Sequence, residues 1–338
     1  MTAQRAAAAL VLATIAVTGG ALGDAGPGAG APSPDRTCGV ALGLFASDPA
    51  WDYGPMLTEI AAHGATDVML SVPWVQDTLT SSDLGPRPGS SPDAATVART
   101  LAQAHDRGLR VTLMPVVRLE ERGDGRWRGA LQPADRDAWF SAYSAHMTAH
   151  ADLAQAAGVH RLVVGSELSS LEADDARWRA LVSELRGRTD ATLTWSANWD
   201  RFEQVPFWDA LDEVGVSAWF EVGEGDADGW AGPQARLRAI AAATGKPVLL
   251  TEVGYPARAT AGSRPWDHAG PATPAPRLQA ALLDRFFVQF TDRPDVSGAF
   301  VWNWFGRGGT LDAGYSPRGR PAAAVLKRHF AQWCGAPA

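Results

Sequence analysis

The chain has 338 residues, 46% of them hydrophobic and 20% charged, with a net charge of −7. That composition excludes a disordered chain, and the acidic balance gives no basis for a nucleic-acid partner. Two cysteines are too few for a disulfide scaffold or a cysteine zinc site, 14 tryptophans against 4 tyrosines are unusual, and at about 150 residues per domain the length alone suggests two domains.

The chain starts with Arg5, an apolar run from Ala6 to Val17, then glycine and small residues. That is the layout of a secretory signal, with Ala21-Leu22-Gly23 as a small-x-small cleavage site. Residues 1–23 are therefore read as a signal peptide, with a buried N-terminal helix as the competing reading, and 24–36 as a flexible leader rich in Gly, Pro and Ala. The apolar run is short for a membrane span and no later stretch is longer, so a secreted chain with no membrane partner after cleavage is expected.

Short apolar runs then alternate with helical patterns. Strands are predicted at 39–45, 67–72, 109–116, 160–166, 192–197, 213–219, 246–252 and 297–303. Each is largely apolar rather than alternating, as strands buried on both faces are. Helices are predicted near 53–63, 92–107, 134–157, 173–188, 203–211, 232–244, 276–291 and 320–332. Eight such pairs in 37–335 match a (β/α)8 TIM barrel of the α/β class in number and length. The doubly wound alternative carries a Gly-rich turn after its first strand, where this chain has Ala46-Ser47-Asp48-Pro49. One barrel thus replaces the two domains that length suggested, and a monomer is expected. The long loops near 77–90, 118–133, 220–231 and 255–275 all follow strands, on the side where barrel active sites lie.

Cys38 stands just before the first strand and Cys334 just after the last helix. Those ends are neighbours in a closed barrel and export permits oxidation, so a Cys38–Cys334 disulfide is expected; two buried thiols are the alternative.

Strand four ends Gly165-Ser166-Glu167 and strand seven ends Leu250-Thr251-Glu252. A lone Glu ending a strand is ordinarily a cap or a surface charge. Two, on opposite sides of a barrel mouth, can flank one bond, and glycoside hydrolysis needs such a pair. His146 and His150, one turn apart on the third helix, lack a third ligand, so no metal is expected. No Walker loop or Gly-x-Ser-x-Gly elbow is present, and no cofactor is expected.

The chain resembles glycoside hydrolase family 113, in the clan of TIM-barrel retaining glycosidases. The matching segments, in order, are Pro73-Trp74-Val75-Gln76, Trp127-Arg128-Gly129, Trp139-Phe140-Ser141-Ala142-Tyr143 and Val164-Gly165-Ser166-Glu167-Leu168. They continue with Thr251-Glu252-Val253-Gly254-Tyr255, Val301-Trp302-Asn303-Trp304 and Tyr315-Ser316-Pro317-Arg318-Gly319-Arg320-Pro321-Ala322. The resemblance implies a β-1,4-mannanase-like activity, with Glu167 as acid/base and Glu252 as nucleophile. A general acid must hold its proton near neutral pH, so the raised group is expected to be Glu167, pushed up by the Glu252 charge.

The chain departs from that pattern in three places. Ser166 stands where most of the clan has Asn, Trp219 where many members have Tyr, and Met114-Pro115-Val116 where the family tends to carry Lys and His.

Sugars stack their C–H faces on aromatic rings. Trp74, Trp199, Trp219, Trp302 and Trp304 are placed at strand ends on the active-site face, and Trp127, Trp230 and Trp266 in its loops. Trp139, Trp178, Trp195, Trp208 and Trp333 read as core. Trp74, Gln76, Ser166, Asn198, Trp219, Tyr255, Trp302 and Asn303 are the substrate-binding candidates, with Asp200 and Arg258 as weaker ones. The expected partner is a β-linked polysaccharide or oligosaccharide. The second reading, from another class, is a catalytically weak carbohydrate-binding barrel.

Overall fold

The computed structural model describes residues 36–335 except 122, 124 and 226, so the expected signal peptide 1–23 and nearly all of the leader 24–36 lie outside the described residues. Eight parallel strands close into one barrel in sequence order: β1 (Thr37–Gly43), β2 (Asp67–Gln76), β3 (Arg110–Leu119), β4 (Arg161–Ser166), β5 (Thr192–Asn198), β6 (Glu213–Ser217), β7 (Val248–Val253) and β8 (Val296–Val301). β8 pairs back on β1, with Cys38 opposite Ala299. The helices are α1 (Gly54–Ala62), α2 (Ala94–His105), α3 (Arg136–Ala157), α4 (Asp175–Arg186), α5 (Ala231–Thr244), α6 (Pro276–Phe290) and α7 (Pro321–Cys334). The molecule is a single-domain (β/α)8 barrel, as the strand–helix count predicts.

One predicted helix is absent. Between β5 and β6 the chain forms two short 3-10 turns, Phe202–Gln204 and Trp208–Ala210, instead of a helix over 203–211. Pro206 lies between them, and it lacks the amide a helix needs there and pushes Val205 into extended backbone. Elsewhere the punctuation works as read. Asp93 caps α2 by accepting the Thr96 amide at 2.7 Å, and Gly158, at a left-handed φ of 66°, ends α3.

Strand alternation divides the apolar residues into two shells. Ala41, Met69, Met114, Val116, Val163, Leu249 and Phe300 pack together inside the barrel, with Trp302 against them. Their neighbours along the strands, such as Val68, Leu70, Val72 and Trp74 on β2, face the helices. There Trp139, Tyr143, Trp178, Trp195 and Phe207 form a continuous aromatic wall, so much of the tryptophan excess is structural.

The barrel's floor is polar and paired. At the strand starts, Arg161 meets Glu213 at 2.7 Å and Arg110 meets Asp67 at 2.8 Å. At the same end the Cys38 and Cys334 sulfurs are bonded, with their Cα atoms 6.4 Å apart. Among the described residues no helix is long and apolar enough to cross a membrane.

Candidate active site

The two strand-end glutamates are both buried, Glu167 at 6% exposure and Glu252 at 2%. In each case the ladder slips just before the mouth. The β4–β5 register shifts between Val163 and Ser166, and the β7–β8 register between Leu250 and Val253. Such irregularities re-aim a side chain that strict alternation would send elsewhere. Glu167 itself has φ of 52°, the one described non-glycine residue in the left-handed region. A glutamate held in that conformation is an outlier of the kind that collects at functional sites.

Three neighbours hold Glu167. Its amide donates to the Ser196 carbonyl at 2.8 Å. The Ser217 hydroxyl, at the end of β6, donates to Oε1. Arg128, from the loop after β3, places Nη2 2.6 Å from Oε2 and donates Nε to the Ser166 carbonyl at 3.2 Å. Both carboxylate oxygens are therefore occupied.

Glu252 is more sparsely partnered. The Trp219 indole donates to its carboxylate, and Oε1 is buried with no partner. Burial first, and the Glu167 charge second, disfavour its ionised form; the Arg128 guanidinium and the Trp219 bond pull the other way. The net effect pushes Glu252 up to about 8. In the ligand-free site Arg128 sits on Glu167, and Glu252 lies in the drier position.

The glutamates form the floor of a cleft of about 700 Å³, whose walls include Arg128, Asn198, Trp219, His268, Trp302 and Tyr315. That volume is within the usual range for small-ligand sites. Trp302 reaches the cleft because it shares the inward face of Phe300. Trp199 and Trp266 stack at 5.6 Å with 15° between their planes, and Trp266 stays 42% exposed. Trp127, at 39% exposure, stands on the rim with them. The loop carrying Trp266 and His268 is tied down by Arg258, which donates to the carbonyls of His268, Ala269 and Gly270 at 2.7 Å each.

Several candidates lie elsewhere. Trp74, 1% exposed, is in the outer shell with Val72, so alternation carries it away from the mouth. It packs on Tyr143, His146 and His150 beside a separate cavity between α2 and α3. Gln76 shares its parity and is fully buried, donating to the Thr78 carbonyl and accepting the Trp139 indole at 2.8 Å each. Trp304 points outward and donates to Glu59 at 2.8 Å, and Trp230 is buried among Phe220, Phe286 and Phe290. Tyr255 and Asn303 are buried and do not line the cleft, and Ser166 contributes its carbonyl rather than its hydroxyl. Asn198, Trp219 and Trp302 do line it. His146 and His150 are occupied with the Leu84 and His146 carbonyls at 3.0 and 2.9 Å.

Arg128, Ser217, His268 and Tyr315 were not singled out as site residues. Arg128 and Tyr315 stand inside the family-like motifs, and Ser217 ends β6 two residues before Trp219, but the contacts they make join elements far apart in sequence. His268 carries no sequence signal.

The model for Glycoside Hydrolase Family 113 matches residues 43–312. Among solved structures, a GH113 β-mannanase from Alicyclobacillus acidocaldarius, in complex with ManMIm, is 27% identical with a TM-score of 0.80, the match covering 88% of this chain and 97% of that one. A GH113 β-1,4-mannanase complex is 21% identical over 88% and 99% of the two chains, also at 0.80. A GH5_18 enzyme from Streptomyces cattleya, in complex with Manβ1-4GlcNAc, shares the fold at 16% identity, 89% and 81% coverage and 0.60. No curated protein sequence matches the chain.

Proposed function

The chain belongs to glycoside hydrolase family 113, and from that membership we propose that it cleaves β-linked mannan or its oligosaccharides by double displacement, with Glu252 as nucleophile and Glu167 as general acid and base. The observation that carries this reading is the pair of buried carboxyl groups on opposite strands, close enough for one charge to shift the other, beneath a tryptophan-lined cleft. The 27% identical relative described as a β-mannanase supports the choice of sugar.

In the first step the Glu252 carboxylate attacks the anomeric carbon while the Glu167 proton passes to the glycosidic oxygen, which leaves as an alcohol. In the second step Glu167, now a carboxylate, takes a proton from water. The water oxygen bonds to the anomeric carbon, and the ester electrons return to Glu252. The configuration at carbon is retained.

The productive form needs a proton on Glu167 and a charge on Glu252. Burial and the Glu167 charge disfavour the ionised form of Glu252, whereas the Arg128 guanidinium and the Trp219 indole favour it, so these two donors support the charge that attack requires. On β3 the inward positions Met114 and Val116 are apolar, and the polar groups that line the cleft for hydroxyl recognition include Asn198, His268, Tyr315 and the indole edges.

The test is a reducing-sugar screen on mannan, glucan, xylan and galactan, with Glu252→Ala beside wild type. Turnover on mannan, its loss in the variant, and labelling of Glu252 by a 2-fluoro mannoside are expected. Binding of a glycan without any hydrolysis would favour the carbohydrate-binding reading instead. Export belongs to the same proposal: protein recovered from culture medium should begin near Asp24.

A further inference from the structure

Double displacement asks opposite things of one carboxyl group. Glu167 must give a proton in the first step and be a base in the second. The contacts around it are not neutral between these demands. The Arg128 guanidinium has donors and no acceptor, so it can bond the carboxylate oxygen Oε2 at 2.6 Å but cannot accept a bond from a proton there. Its Nε is anchored on the Ser166 carbonyl, one residue before Glu167. Arg128 is thus tied to the acid/base residue and its own backbone. With Ser217 on the other oxygen, the group is oriented as a carboxylate.

Charge counting points the same way. Among the described residues lining the cleft, two carboxyl groups face one guanidinium. Once Glu252 is an ester, Glu167 is the carboxylate left beside Arg128, and the guanidinium is matched to it. The pair lies in a largely buried cleft, where a charge-assisted bond is strong.

We propose that Arg128 is a positioning residue for the second half-reaction: it holds Glu167 as an oriented base for water, and it gives no assistance to the first half, in which Glu167 must carry a proton. This rests on the double-displacement reading given above.

The experiment separates the two steps with a dinitrophenyl β-mannoside, whose leaving group departs without a proton. For Arg128→Gln, kcat on this substrate should fall about tenfold or more, the effect of losing one bond to a charged group. KM should fall with it, leaving kcat/KM within about twofold, because kcat/KM reports the first step. A burst of dinitrophenolate should precede the slow phase. Azide, a nucleophile that needs no base, should restore the rate and yield the β-mannosyl azide. Arg128→Lys should recover part of the loss.

A fall in kcat/KM as large as that in kcat, or the absence of both burst and azide rescue, overturns the assignment. If Arg128→Gln does not fold, the same comparison is made by reactivation of 2-fluoro-mannosyl enzyme in wild type and Arg128→Lys, where equal rates overturn it. Wild type answers for the underlying reading. If it neither cleaves the dinitrophenyl mannoside nor is labelled at Glu252, double displacement on mannosides fails and the Arg128 role with it. If it is labelled and only the step-selective defect is missing, the Arg128 role alone fails.

Discussion

Among the described residues the Trp219 indole donates a hydrogen bond to Glu252, and it stands where many clan members carry a tyrosine. Trp219→Phe keeps an aromatic ring and removes the donor. That leaves the charged form less supported, so the acid limb of the kcat/KM profile should move to higher pH, with a loss of about tenfold below it, measured on an aryl mannoside. Glu252 also predicts a stability effect. Its folded pKa lies above the unfolded carboxylate value, so its contribution is fully present below that value and is lost as pH rises through the folded one, from about 4.5 to about 8. Glu252→Gln escapes that loss. Its melting temperature should gain on wild type across this window, by the equivalent of a few kcal/mol at the upper end; an unchanged difference between pH 5 and pH 8 would show that Glu252 is not strained by burial. The two glutamates were legible because each ends an apolar run in a countable series. Arg128 and Ser217 were not, because their contacts join elements far apart in sequence.

At the level of elements, alternation along a strand decides what a tryptophan does. Trp74 and Trp302 both stand near strand ends and look alike in the sequence. One residue of phase places Trp302 inside with Phe300 and Trp74 outside with Val72. The phase of a strand buried on both faces is not visible in its sequence, since every position is apolar, and the register slips on β4 and β7 hide it further. Truncation separates the two. Trp74→Ala should cost about 3–5 kcal/mol of stability by leaving a cavity, with KM unchanged. Trp302→Ala should cost activity at least tenfold with a smaller loss of stability, followed by thermal melts beside mannan kinetics. On the rim, Trp199 covers one face of Trp266, so a sugar can use only the other. Trp266→Ala should therefore raise KM for long mannooligosaccharides several-fold and leave a short aryl mannoside untouched; equal effects on both would place Trp266 outside the binding path. The missing helix over 203–211 was also within reach of the sequence, because Pro206 lies inside the predicted span.

For the whole molecule, the count of strand–helix units was the legible quantity, and it overturned the division by length. What holds the barrel shut is less visible from sequence: the paired floor of Arg161, Glu213, Arg110 and Asp67, and the chain ends beside it. There Arg36 lies over the Trp333 ring at 4.1 Å and donates to the Thr291 and Phe290 carbonyls at 2.7 Å each, next to the Cys38–Cys334 bond. Opening that crosslink, which spans 296 residues, should lower stability by about 2–5 kcal/mol without changing kcat; denaturant unfolding of Cys38→Ser/Cys334→Ser beside wild type measures it. The same feature sets an orientation. Both ends of the described chain emerge from the barrel's floor, pointing away from the cleft. A tether attached at either described end would hold the barrel upside down to its anchor, mouth outward, with the cleft turned toward a long polymer chain.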